Sequence, residues 1–200
     1  MNTLQRVRLT ENQLRLELRQ IEAAKKEPAR FGVLYEKYYR QIFLFVFKRT
    51  GEEEAAGDIV AQVFMKAMLN LKKYQYKGVP FSAWLYRIAS NEVNQHFRNQ
   101  KSERTISMER SHIDLVMGQV EEEPEDDFKE LYLEVVLETL QEMEEDEVQL
   151  IELRFFEQRP FKEVAFILGI TENNAKVRAY RIIGRLKKRL QKKLGGSYEA

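Results

Sequence analysis

Apolar residues recur with a helical period along almost the whole chain. Phe31, Leu34, Tyr35, Tyr38, Ile42 and Phe45 fall mostly three and four apart, one stripe of a helix that Thr50-Gly51 should end. Ala56, Ile59, Val60, Val63, Ala67 and Leu71 form a second stripe, with Glu52, Glu53 and Glu54 in its first turn, where the helix dipole favours carboxylates. Gly78-Val79-Pro80 breaks the chain, and a third helix carries Phe81, Leu85, Ala89, Val93 and Phe97 every four residues. Ahead of these, Leu14, Leu16, Leu18 and Ile21 sit in a short charged segment that stops before Pro28. Further on, Leu131 to Leu140 and Val148 to Phe156 are periodic, and a short pair of helices follows at Phe161–Leu168 and Glu172–Leu194. With no internal repeat and no hairpin signal, the pattern predicts an all-α fold of two small helical domains. The run Glu121 to Asp127, interrupted by Pro124, reads as a solvated acidic linker. The resulting division is an N-terminal extension over 1–27, a first domain over 28–105, the linker over 106–127 and a second domain over 128–200.

Charge sharpens this picture. The formal net charge is only +1, yet the signs are sorted into blocks. Pro28 to Thr105 holds 13 Lys/Arg against 7 Asp/Glu, and Ile106 to Asp127 holds 1 against 8. Phe128 to Thr171 holds 4 against 11, whereas Glu172 to Leu194 holds 9 against 1. Segregation of this kind matters more than the total, and a soluble enzyme of mixed charge rarely shows it. Cysteine is absent, which removes disulfides and thiolate metal sites and suits a reducing compartment. Met1 to Thr10 lacks the apolar core of a signal peptide. The longest apolar run, Ile42 to Phe47, falls far short of the roughly 20 residues needed to span a bilayer. A cytoplasmic protein without membrane insertion is expected.

The last two helices read as a helix-turn-helix. Phe161, Val164, Ala165 and Leu168 make the buried face of a helix of barely two turns; Gly169 stands where a left-handed residue would end it, and the Thr171 hydroxyl can cap the next. On that next helix, Ala175, Ala179, Ile182, Ile183, Leu186 and Leu190 define one face. Asn174, Arg178, Arg181, Arg185, Lys188 and Lys192 recur four, three, four, three and four apart on the other. A basic stripe with Asn near its N-terminal end fits the major groove, where Arg pairs with guanine, Asn with adenine, and the remaining cations grip phosphate.

A second surface precedes the third helix. Lys72, Lys73, Tyr74, Tyr76, Lys77, Phe81 and Trp84 interleave cations with aromatics, and Trp84, Arg87, Asn91, Asn94 and Arg98 share one face. Exposed rings beside cations suit single strands, because a base stacks on the ring while the cation neutralises phosphate. Phe81 fits the core better; Trp84 fits either role; Tyr74 and Tyr76 flank a loop and are less easily explained by packing.

These residues resemble a known family. Asp58-Ile59-Val60-Ala61-Gln62-Val63-Phe64 and Phe81-Ser82-Ala83-Trp84-Leu85-Tyr86-Arg87-Ile88-Ala89-Ser90-Asn91 are similar to the second conserved region of bacterial sigma factors. Leu150 to Arg189, including Leu153-Arg154-Phe155-Phe156-Glu157 and Leu168-Gly169-Ile170-Thr171-Glu172, resembles their fourth region. The short acidic linker in place of other regions resembles the extracytoplasmic-function group. The resemblance implies core RNA polymerase and promoter DNA as partners, with an anti-sigma factor as a further partner common in the group, and no cofactor. It implies polymerase binding through Asp58, Gln62 and Phe64, although the family usually has Gln-Glu where this chain has Ala61-Gln62. It further implies capture of the melted start-proximal element by Tyr74, Tyr76, Lys77, Trp84, Arg87, Asn91 and Arg98. Thr171, Asn173, Asn174, Lys176, Arg178, Arg181 and Arg185 would read the upstream element as duplex. The linker would thread toward the polymerase active-site channel.

Three other readings compete, the first a polymerase-binding antagonist without promoter activity, in which the carboxylate missing at Ala61-Gln62 would matter less. A helix-turn-helix regulator acting on duplex DNA without polymerase would need two-fold symmetric half-sites, and it leaves the aromatic–basic stretch from Tyr74 to Trp84 without a role. An enzyme has little to work with: His96 and His112 are the only histidines, and no Gly-rich phosphate loop is present.

Overall fold

In the computed structural model the described residues are 10–100 and 142–197, together with Glu134, Val136, Glu138 and Thr139. The chain divides into two compact units, one ending at Ser107 and one beginning at Met108. Among the described residues every regular element is helical.

The first unit opens with α1 (Glu11–Lys26), which starts on a reciprocal cap. The Thr10 hydroxyl accepts from the Gln13 amide at 3.3 Å while the Gln13 side chain accepts from the Thr10 amide at 2.8 Å, satisfying two donors that the first turn cannot pair internally. The buried face of α1 is Glu17, Ile21 and Ala24, not the run of leucines, since Leu16 is 57% exposed. A 3-10 turn, Pro28–Phe31, leads into α2 (Gly32–Thr50). Gly51 ends α2 with φ 71°, a left-handed conformation that costs a residue bearing Cβ. Then come α3 (Glu53–Asn70), a 3-10 turn at Leu71–Lys73, and α4 (Phe81–Gln100).

The apolar stripes of α2, α3 and α4 meet in one core. Leu34, Ile42, Val46, Val60, Val63, Ala67, Leu85 and Ala89 are fully enclosed there. Each large aliphatic side chain so buried contributes about 1.5–3 kcal/mol by leaving water. The α3 stripe is buried at all six expected positions, Ala56, Ile59, Val60, Val63, Ala67 and Leu71. Tyr35 departs from the expected α2 stripe and faces solvent, where it begins a ladder of rings with Tyr39, Phe43 and Phe47 at centroid spacings of 5.2, 5.9 and 6.0 Å. Spacing alone could not separate it from its neighbour Leu34, because both positions border the same stripe.

The second unit holds α5 (Glu145–Ile151), which runs into a π-helical turn at Glu152–Phe156, then α6 (Phe161–Leu168) and α7 (Glu172–Ser197). Gly169 adopts φ 69° and closes α6 as its position suggested. The Thr171 hydroxyl accepts from the Asn174 amide at 3.2 Å and caps α7. Both α5 and α6 pack on α7. Val148, Leu150, Ile151 and Leu153 meet Val164, Ala165, Ile167, Ala175, Ala179, Ile182 and Leu186 in its core. On α6 the buried triad is Val164, Ala165 and Ile167, while Phe161 and Leu168 are only half-buried. Arg159 is enclosed beside them, donating to the Glu163 carboxylate at 2.8 Å. The linker at 106–127 and His112 lie outside the described residues. Of Leu131 to Leu140, the described Glu134, Val136, Glu138 and Thr139 are helical.

Candidate nucleic-acid interface

On the first unit, α3 and α4 leave a cleft of about 370 Å³ lined by Lys66, Asn70, Lys73, Trp84, Ile88, Asn91 and Glu92. Trp84 is half-buried, so part of its ring remains accessible from the cleft side. The ring is held from behind by Tyr74 at 5.1 Å and Phe81 at 5.4 Å, and those two rings meet edge-on at 5.1 Å. Lys66 donates to the Glu92 carboxylate at 2.6 Å across the cleft, while Lys73 and Asn91 are exposed at its rim. A ring with an open flank, the amides of Asn70 and Asn91 and the exposed Lys73 ammonium, in a concavity where Lys66 is already paired with Glu92, can stack a flat heterocycle, hydrogen-bond its edge and neutralise a phosphate.

The structure divides the aromatic–basic residues into two sets. Tyr76, Lys77, Arg87, Asn91 and Arg98 are exposed, with Arg98 donating to the Gln95 side chain at 2.9 Å. Phe81 is fully buried, as its position in the α4 stripe required. Tyr74 is a correction: its ring lies in the packed interior, and so serves as a wall behind Trp84 rather than a free stacking platform. Its phenol is pushed well above the ordinary tyrosine range by burial first, and then by the negative field of Glu17 and by Tyr76. His96 packs edge-on against Phe97 at 5.5 Å, half-buried.

On α3 a different face is exposed. Asp58, Gln62, Met65 and Leu69 follow one another at spacings of four, three and four, and all four are exposed. Phe64, grouped with Asp58 and Gln62 from the sequence, is instead buried against Phe31, Tyr35 and Tyr39 at 6.4, 4.8 and 6.4 Å. Residue 64 lies two positions from Gln62, a rotation of roughly 200° around a helix of 3.6 residues per turn. Met65 and Leu69 were missed; their signal was an apolar pair lying off the buried stripe.

On the second unit, α7 presents a narrower basic face than residue spacing suggested. Thr171 uses its hydroxyl in the cap, and Lys176 pairs with Glu172 at 2.8 Å. Arg178 is half-buried and donates to the Asn174 side-chain oxygen at 3.0 Å, which also ties up Asn174. Arg185 reaches the Glu147 carboxylate of α5 at 2.6 Å. Arg189 bonds to Glu142, whose carboxyl is held below the ordinary range chiefly by that hydrogen bond. The exposed strip contains Asn173, Val177, Tyr180, Arg181, Lys188 and Lys192. Val177 and Tyr180, the latter 69% exposed, are large apolar groups on a face otherwise built for water or phosphate. They are additional candidates for base contact, since apolar side chains read the thymine methyl in the major groove.

Among the described residues, no group of three or more His, Cys, Asp or Glu could hold a metal ion, and no helix is long and apolar enough to cross a membrane.

Two family models match the chain, one in each unit. Residues 34–103 match "Sigma-70 region 2" and residues 133–186 match "Sigma-70, region 4". The chain is 27% identical over 154 residues to the ECF RNA polymerase sigma factor BldN of Streptomyces coelicolor, covering 76% of this chain and 57% of that protein. It is 24% identical over 155 residues to the ECF RNA polymerase sigma factor SigM of Bacillus subtilis, covering 77% of this chain and 91% of that one. Among solved structures, its fold is similar to CnrH in complex with the cytosolic domain of CnrY, with a TM-score of 0.55, 20% identity, and 90% of this chain and 97% of that chain covered.

Proposed function

The chain belongs to the sigma-70 family, in its extracytoplasmic-function group, and from that premise we propose that it binds core RNA polymerase and directs promoter recognition, strand separation and initiation. The observation that carries this reading is the presence, in one chain, of two nucleic-acid surfaces of different kinds. The Trp84 cleft suits an unstacked base, and the exposed strip of α7 after its helix-turn-helix suits duplex DNA. A regulator that only bound duplex DNA would use α7 and leave the cleft without a role.

In this proposal the exposed α3 stripe of Asp58, Gln62, Met65 and Leu69 docks on the clamp helices of the polymerase, with Phe64 shaping the helix from beneath. Ala61-Gln62, in place of the family's usual Gln-Glu, makes this contact less charged and more dependent on the apolar pair. The upstream element is read by Asn173, Lys176, Val177, Arg178, Tyr180 and Arg181, with Asn174 orienting Arg178 and Thr171 holding the helix start. Arg185 and Lys188 grip phosphate. Near the start site, a base leaves the stack at a cost of a few kcal/mol. Stacking on Trp84 and hydrogen bonds to Asn91 offset that cost, while Lys73, Tyr76, Lys77, Arg87 and Arg98 follow the backbone of the displaced strand. Tyr74 acts by fixing the Trp84 ring. The protein works in the cytoplasm, where its template is, needs no cofactor, and an anti-sigma factor would be a natural competitor for the same faces.

Transcription in vitro with purified core polymerase and fragments of genomic DNA tests this. Specific initiation is expected; a chain that neither binds core nor directs any start sinks the reading. Within it, Trp84→Ala should bind duplex promoter as before yet fail to open it, and normal permanganate reactivity in that variant would remove Trp84 from the melting step.

A further inference from the structure

Glu17 is, with Arg49 and Glu92, one of the buried charged residues of the first unit. It is 1% exposed, on the face of α1 where an apolar residue would ordinarily sit. A buried carboxylate persists only where its lone pairs are matched, and here each oxygen is engaged. Oε1 accepts from the Tyr38 hydroxyl and from Lys37 Nζ at 2.8 Å, and Oε2 accepts from the Phe81 backbone amide at 3.1 Å. Phe81 is the first residue of α4, and first-turn amides have no acceptor within their own helix. The preceding Gly78-Val79-Pro80 has no side-chain acceptor to offer. The cap of α4 therefore comes from a helix 64 residues earlier in the chain.

Two turns further along α1, Lys25 Nζ donates to the Tyr74 carbonyl at 2.8 Å and lies 5.8 Å from the centre of the Tyr74 ring. Thus α1 fastens both ends of the 74–81 loop. Those ends carry Tyr74 and Phe81, the two rings that hold Trp84 against the cleft. We propose that α1 is a strut for strand capture, in which Glu17 and Lys25 are positioning residues that set the orientation of Trp84 and so the shape of the cleft. This rests on the function proposed above for its consequence in promoter opening, but the geometric part stands by itself.

Trp84 is the only tryptophan, so the intrinsic fluorescence of the full chain reports on the cleft directly. Measured well below the melting temperature, Glu17→Ala should shift Trp84 emission to the red and raise its quenching by acrylamide. Glu17→Gln should lie between it and the parent, because its carboxamide oxygen still accepts from the Phe81 amide. Lys25→Met, which keeps the aliphatic stem and leaves Glu17 in place, should shift emission in the same direction. In the holoenzyme, both Glu17→Ala and Lys25→Met should slow promoter opening about five- to tenfold, with core binding and duplex binding changed less than about twofold. Unchanged emission and quenching in both variants would overturn the strut. So would losses of core binding, duplex binding and opening in equal proportion, the mark of general destabilisation. Should Glu17→Ala not fold, Glu17→Gln and Lys25→Met decide by the same criteria. If the parent chain opens no promoter, the proposed function fails, and the fluorescence comparison alone supports or overturns the positioning role.

Discussion

Glu147→Gln should tighten binding to the duplex upstream element and make that binding more sensitive to salt. In the fold, Arg185 is held by Glu147 at 2.6 Å, with side chains 47% and 29% exposed. An ion pair this wet is worth about 0.2–1 kcal/mol, so its removal should move the melting temperature by only a few degrees. Its effect on DNA is larger. To grip phosphate, Arg185 must leave one anion for another, and the carboxylate it leaves then faces the DNA charge. Each phosphate neutralised steepens the dependence of log K on log salt by about 0.9, or roughly threefold in affinity between 50 and 200 mM. The isosteric amide removes the competing anion without removing volume. We expect Glu147→Gln to gain about three- to tenfold in affinity near 50 mM salt and to steepen the slope by about one contact. Fluorescence anisotropy on a labelled duplex at several salt concentrations measures both quantities. Arg185→Ala should flatten the slope, and adding Glu147→Gln to it should recover little of the gain. A slope unchanged in Glu147→Gln, or a gain that persists undiminished without Arg185, refutes the idea that this pair masks a phosphate contact.

Gly169→Ala forces a Cβ into a left-handed turn at φ 69° and should cost about 1–2 kcal/mol, read as a lower denaturant midpoint with the m-value unchanged. Val177→Ala should weaken binding at one A·T position of the upstream element by about 1 kcal/mol or less, and replacing that thymine by uracil should erase the difference; equal loss on every sequence would make Val177 a packing residue. Tyr74 gives an alkaline signature. Its folded-state phenol is raised, so below about pH 10 both states hold the proton and stability is intact. Above that, the unfolded chain loses the proton first and stability falls as pH rises. Tyr74→Phe keeps the ring and should flatten this fall in urea titrations at pH 9 to 11; an identical fall in both proteins would remove Tyr74 as its source.

Periodicity made most of the fold legible because the cores of both units are built from stripes on single helices. Val60, Val63 and Ala67, or Ala175, Ala179 and Ile182, need only local spacing to be recognised. The turn at Gly169 and the cap at Thr171 were legible for the same reason, as each is closed within a few residues. What escaped was set by partners far away in sequence. Glu17 among leucines reads as solvated until Tyr38 and Phe81 arrive 21 and 64 residues later. Tyr74, beside a Gly-Val-Pro break, reads as a loop aromatic until Phe81 and Trp84 fold back over it.

The sorted charges show the same effect on a larger scale. Counted along the chain, α7 is a strongly basic rod preceded by a strongly acidic segment, and the two read as separate features. Folded, they meet: Glu147 takes Arg185 and Glu142 takes Arg189, both in the middle and later turns of α7. In the early turns Lys176 pairs within the helix with Glu172, Arg178 is braced by Asn174, and Val177, Tyr180 and Arg181 are directed outward. Cations without a carboxylate neighbour bind any phosphate, whereas braced or apolar groups discriminate between bases. In the proposed role, pairing Arg185 and Arg189 with carboxylates lowers non-specific affinity, leaves Lys188 and Lys192 to hold phosphate, and leaves the choice of sequence to the early turns. That raises the ratio of specific to non-specific binding, the quantity that decides where a DNA reader spends its time on a genome.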